Sequence, residues 1–111
     1  MKRLNFLPFY ESLLRSRLKT TTFRLSNHES FKEGDNIQIS IGWEKESSIG
    51  LCKGIIKEVY KKKIGDLSKT DFNGESPDCK SRKAVPLVLS CIYRTKLTEE
   101  SEIWIIKFDY K

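Results

Sequence analysis

The sequence predicts a mainly β fold, a small mixed-strand pseudo-barrel or curled sheet capped by two or three short helices. Two observations carry this. Segments rich in β-branched and aromatic residues are short and recur with turn signals between them, which suits a small barrel. Strand-like and helix-like segments do not alternate strictly, which argues against a doubly wound parallel sheet. A length of 111 residues suits one compact domain spanning 1–111, with a single core.

Each element has a local reason. "RLNF" (3–6) reads as a short strand, and Pro8 then fits the first turn of a helix. In "FYESLLRSR", Phe9, Leu13 and Leu14 fall at helical spacing, with Glu11 and Arg15 four apart on the outer side. "TTTFRL" (20–25) reads as a strand. Thr21, Phe23 and Leu25 are assigned to its core face, and Thr20, Thr22 and Arg24 to the other, with Lys19 leading in from a turn. "SNHES" is loop, and "FKEGD" carries a Gly34-Asp35 turn signal. "NIQISIGW" alternates Ile37, Ile39 and Ile41 against Gln38 and Ser40, the mark of a half-buried strand. "GLCKGIIKEVYKKKI" (50–64) is one long strand, or two joined by a bulge at Gly54. Ser68 and Asp71 have capping-box spacing, predicting one short helical turn. In "KAVPLVLSCIYR", Val85, Val88, Leu89 and Ile92 share a helical face, and Pro86 requires the helix to begin near Arg82 or Lys83. "EIWIIKFDY" (102–110) closes the chain as a strand, with Trp104 and Phe23 assigned to the core.

The net charge of +6 favours an anionic partner, such as nucleic acid, a nucleotide or a membrane face, although charge also serves plain solubility. The three cysteines, Cys52, Cys79 and Cys91, form no CxxC clamp and have no neighbouring histidine, which argues against disulfides or structural zinc. Free thiols in a reducing cytoplasm are expected, with Cys91 a small buried hydrophobe. The basic, apolar opening "MKRLNFLPF" is broken by Pro8 and soon followed by Glu11 and Arg15, so it is not read as a signal peptide. No run approaches the ~20 apolar residues that span a bilayer. No metal constellation, no cofactor and no glycine-rich phosphate loop is expected, and His28 is read as an exposed loop residue.

The order of pieces is more specific than the composition. A helix ending "LLRSRLK" leads to Lys19-Thr20-x-Thr22-x-Arg24. Then come Gly34-Asp35, an Ile-rich strand, a basic strand, the Leu67-to-Glu75 segment, a helix ending "IY" and a terminal Trp104 strand. This resembles the ASCH domain of the PUA-like superfamily over about residues 4–110. The resemblance implies a six-stranded, barrel-like fold with a cleft beside the Lys-Thr strand, and RNA as a common partner. It also implies a second activity. A small single-domain branch resembles amidohydrolases acting on an acylated cytidine nucleoside through a lysine, a threonine and a glutamate, which match Lys19, Thr22 and Glu75 here. Many members carry Gly-Arg before the lysine, where this chain has Arg17 and Leu18. The glycine would ease a tight turn into the strand.

Two functions therefore stand side by side. As an RNA-binding module, the chain would use Lys19, Thr20, Thr22 and Arg24 as a cleft, Lys57, Lys61, Lys62 and Lys63 around Tyr60 as a basic strand, and Trp43 as a stacking face. A lysine run on a strand also deters edge pairing. As a hydrolase, Thr22 would attack, Lys19 would take its proton and Glu75 would carry that proton onward. Side chains three apart on a strand point to opposite faces, so Lys19 must precede the strand if it is to share a cleft with Thr22.

Overall fold

The computed structural model describes residues 1–77 and 81–111, so Cys79 lies outside the described residues. Strand β1 (Lys2–Phe6) leads into a 3-10 turn (Pro8–Tyr10) and helix α1 (Glu11–Arg15). Strands β2 (Thr21–Arg24), β3 (Asn36–Ile41) and β4 (Ile49–Lys63) follow. A 3-10 turn (Ile64–Asp66), helices α2 (Lys69–Phe72) and α3 (Ala84–Tyr93), and strand β5 (Glu102–Tyr110) complete the described chain. The strands form one sheet in the order β1-β3-β4-β5-β2. β1 runs parallel to β3, and every other pair is antiparallel. The resemblance implied six strands, whereas the described residues form five, and β1 and β2 remain as edges of a half-barrel.

The long β4 makes the curl. Its first half pairs with β3 and its second with β5. One residue, Leu51, is skipped in the β3 register, and another, Lys57, in the β5 register. Each extra residue bends and twists the strand locally. The bulge is thus not at Gly54, which stays in register with Ile37 and Tyr110. Gly54 is where the strands approach most closely, since a Cβ there would meet the Asp109 carbonyl at 2.6 Å.

Both faces of β5 are covered. Ile106 and Phe108 join Leu4, Phe6, Ile37, Ile39 and Ile56 inside the curl. Ile103 and Ile105 face the other way and pack with Phe23, Leu67, Val85 and Leu89 under α3. α3 begins at Ala84, so Pro86 sits in its first turn. Cys91 lies on the side of α3 away from Val85 and Leu89 and is exposed, not buried. Phe9 is likewise 58% exposed, because it falls in the 3-10 turn and not on the core side of α1. Trp104 is half-buried at the start of β5 with Lys61 5.4 Å above its ring, and so is not core. No helix among the described residues is long and apolar enough to cross a membrane.

Two local devices place the functional segments. α1 ends in a left-handed residue, Arg17 at φ +60°, with Leu18 N–H bonding Leu13 O at 2.9 Å and Arg17 N–H bonding Leu14 O at 3.1 Å. This is a Schellman cap, and a non-glycine residue there costs about 1 kcal/mol. α2 is held by Asp71, whose carboxylate accepts from Ser68 N–H at 2.8 Å, Tyr60 Oη at 2.6 Å and Lys62 Nζ at 2.8 Å. That network fixes the segment carrying Glu75 against β4.

Burial pushes the Asp71 carboxyl up, but the bonds from Lys62, Tyr60 and Ser68 outweigh it and hold the group at about 2. A folded-state pKa below the unfolded value stabilises at pH above the unfolded pKa, here about pH 4, and that contribution fades as pH falls towards 2. Asp71→Asn is therefore expected to lose about 2 kcal/mol at neutral pH. Urea unfolding at pH 7, 4 and 2.5 checks this: the gap between the two proteins narrows on acidification, and a constant gap contradicts the assignment.

Candidate functional site

The two edge strands face each other across an open seam, and a pocket of about 210 Å³ fills it. β1 and the 3-10 turn supply Asn5, Phe6, Leu7 and Tyr10. β2 supplies Thr22, Phe23 and Arg24, and α3 supplies Leu89, Ile92 and Tyr93. Lys19 and Glu75 complete the lining. Arg24 bridges the seam, donating from Nη2 to the Asn5 carbonyl of β1 at 2.7 Å and from Nε to Thr22 Oγ1 at 3.1 Å. Asn5 in turn accepts from Ser40 Oγ at 2.8 Å, which explains why Ser40, on the polar side of the alternation, is fully buried.

Lys19 lies just before β2, as a shared cleft requires, and is 3% exposed. Its amine is ion-paired with Glu75 Oε1, lies 3.3 Å from Ser76 Oγ and sits 4.9 Å above the Tyr10 ring. Glu75 is 5% exposed and its carboxylate is crowded with donors. Ser76 N–H reaches Oε1 at 2.7 Å, and Phe23 N–H reaches Oε2 at 3.2 Å. With Ser76 Oγ also donating to Oε1 at 3.0 Å, one cation and three further donors converge on one buried carboxylate, as a buried charge needs. Burial lowers the pKa of the Arg24 guanidinium, opposed by Tyr93, Glu75 and Tyr10.

Glu75 is positioned by the start of β2. Thr20 N–H and Thr21 N–H both bond the Gly74 carbonyl, at 2.8 and 3.1 Å. Thr21 Oγ1 donates to Asn73 O at 2.5 Å, and Lys107 Nζ donates to Thr70 O at 2.9 Å and Thr21 Oγ1 at 3.2 Å. Thr21, assigned to the core face, is buried but serves this clamp. Gly74 has φ +84°, and a Cβ there would strike Thr20 Oγ1 at 2.0 Å. Thr20 therefore packs on the Gly74 turn and is absent from the pocket lining, unlike Thr22 and Arg24.

The other candidate residues lie elsewhere. Lys57 pairs with Asp109, Lys62 with Asp71 and Lys63 with Glu100, while Lys61 covers Trp104. Tyr60 donates to Asp71, and burial first, then Asp71, raises its phenol. Trp43 is 72% exposed and outside the pocket, with Phe9 edge-on at 6.3 Å. Asn5, Tyr10 and Tyr93 line the site without having been singled out, because nothing local in a short strand or a helix end marks them as facing a seam.

A buried pair of this kind is costly to break and less costly to replace. Glu75→Ala is expected to destabilise by about 3–5 kcal/mol, because it strands the Lys19 amine in the interior. The double variant Lys19→Met with Glu75→Leu is expected to regain part of that loss, since it removes the stranded charge but leaves the Phe23 and Ser76 N–H groups without their acceptor. Chemical denaturation of the three proteins measures it. A double variant as unstable as Glu75→Ala would mean that the pair is there for the fold.

No protein-family model matches the chain, and no curated protein matches it. Solved structures do. An ASCH domain from Lactobacillus crispatus JV V101 superposes with TM-score 0.62 at 15% identity, covering 89% of this chain and 68% of that one. A DUF984 protein from Enterococcus faecalis V583 superposes with TM-score 0.58 at 16% identity, covering 89% and 67%. The two neighbours and the five-stranded mixed sheet agree: the chain has the fold of an ASCH-like small domain.

Proposed function

We propose that the chain is an RNA-binding module that takes one unpaired nucleotide into the seam pocket. The observation that carries this is the make-up of that pocket. It is about 210 Å³, walled by Phe6, Tyr10 and Tyr93, with Lys19, Arg24 and Glu75 held in fixed positions along it. That volume is below the roughly 300–1,000 Å³ of drug-sized sites, so it suits a single ring and not a length of strand. RNA is commonly read through unstacked bases laid on aromatic side chains and hydrogen-bonded at their edges. The ASCH-like fold supports the reading, and the net charge of +6 suits a phosphate backbone. The β4 lysines play no part in it, since each already has a local partner.

Filter binding of single-stranded RNA at several salt concentrations tests this. Affinity is expected to rise as salt falls. Tyr93→Ala, at the pocket's margin, is expected to weaken binding by about tenfold, the scale of one lost stacking contact. No measurable binding at about 50 mM salt ends the reading.

One observation favours a second reading, hydrolysis of an acylated cytidine-type nucleoside. Lys19, Thr22 and Glu75 line the same pocket, and Lys19 is paired with Glu75. In that reading Thr22 attacks the acyl carbon, Lys19 removes its proton and Glu75 relays it to the leaving amine. It ranks second because the partner at Thr22 Oγ1 is a cation, Arg24 Nε at 3.1 Å, and not a base. Deacylation of acylated cytidine by wild type and Thr22→Ala separates the two: the hydrolase requires the variant to lose the activity, and equal rates exclude it.

A further inference from the structure

Beside the seam pocket, and sharing Ile92 with it, lies a second groove of about 320 Å³. Phe9 forms one side, and Leu87, Val88, Cys91 and Ile92 of α3 form the other. Among the described residues, no charged side chain lines it. Phe9 is 58% exposed and Leu87 70%, so large apolar groups face solvent here, although the Phe9 ring touches those of Tyr10 and Trp43. The Phe9 ring lies 4.6 Å from the ring of Tyr10, a wall of the seam pocket. An aromatic path therefore runs from the pocket into the groove.

The charge along the α3 segment has one sign. Residues 81–98, which contain α3, carry Arg82, Lys83, Arg94 and Lys96 and no acidic residue. All four cations are exposed. An apolar slot with a cationic helix segment along one side suits a partner that offers flat apolar faces on an anionic backbone.

We infer that this groove is a second base-binding subsite, which takes the nucleotide adjacent to the one in the seam pocket. The inference rests on the RNA-binding reading above. The base lies between the Phe9 ring and the Leu87–Cys91 face of α3, and the cations at the two ends of the helix meet the backbone. A groove with no polar lining reads no hydrogen-bond pattern, so this subsite accepts any base, and sequence preference belongs to the seam pocket. The subsite also accounts for the exposed Phe9 and Cys91.

Titration of the full chain with the four nucleoside monophosphates, and with the corresponding dinucleotides, tests this. At least one dinucleotide is expected to bind about tenfold more tightly than its best mononucleotide, the scale of one added stacking contact. Leu87→Asp is expected to abolish that gain and leave mononucleotide affinity unchanged. Leu87 is exposed, so the fold should tolerate the change. Alkylation of Cys91, read by peptide mapping, is expected to slow with the dinucleotide and not with the mononucleotide. A dinucleotide that binds no more tightly, or a Leu87→Asp protein that keeps the gain, overturns the inference while leaving the seam pocket intact. If no mononucleotide binds, the seam-pocket reading itself fails, and the subsite with it. A chain that sediments as a dimer, and as a monomer once Leu87 is replaced by Asp, assigns the groove to a second copy and also overturns it.

Discussion

The ion pair between Lys19 and Glu75 is the constraint around which the seam is organised. The two residues are 56 positions apart, and each side chain is 3% exposed. Removing two charges from water costs several kcal/mol per ion, and their attraction restores it only in good geometry with further hydrogen bonds. The surrounding structure supplies those bonds. Ser76 and the Phe23 N–H complete the carboxylate, and the Tyr10 ring lies beneath the amine. The Gly74 turn, the Thr21 hydroxyl and the Lys107 amine fix the Glu75 loop onto β2. An apolar pair would leave the Ser76 and Phe23 N–H groups without that acceptor, so the charges also tie the Glu75 loop to β2.

The same logic separates the protein's cations into two groups. The β4 lysines stand on a partly exposed strand and are paired with nearby acids or laid over Trp104. Exposed pairs of this kind contribute little to stability and reduce the charge offered to a ligand. Lys19 and Arg24 are different. They are withdrawn into the seam, flank the Phe6 ring at 5.7 and 4.9 Å, and line the pocket. There screening is weaker, so a charge acts more strongly and over a longer range than on the surface.

Arg17 shows how a tight turn closes without a glycine. The chain lacks the glycine that would ease the turn into β2, yet Arg17 takes up the left-handed conformation at φ +60° and the cap closes. The cost is small beside the bonds the turn makes possible, and Arg17 also lies 5.8 Å over the Tyr110 ring. Tyr110 in turn donates to the Lys19 carbonyl at 2.5 Å. The lead-in to the site is therefore held by the tertiary structure as well as by its own backbone. That is consistent with a shared fold at 15–16% identity.

Period-two alternation in β3 and β5, the helical face of α3 and the Ser68–Asp71 spacing were legible in the sequence, because each is decided within a few residues by which side is apolar. The motif also marked Lys19, Thr22 and Glu75, which line one pocket. Pattern alone could not say which strand edges would face each other. The five-strand order, the bulges at Leu51 and Lys57 and the Arg24–Asn5 bridge all depend on pairings between distant segments. The outward turn of Phe9, Cys91 and Trp104 has the same origin. Each lies in an apolar run, and the run does not record where the curled sheet ends. Sequence by itself determined which residues are apolar or charged and how they alternate. Tertiary structure alone decided which charges were buried together, because burial is a property of the curled sheet and not of any one strand.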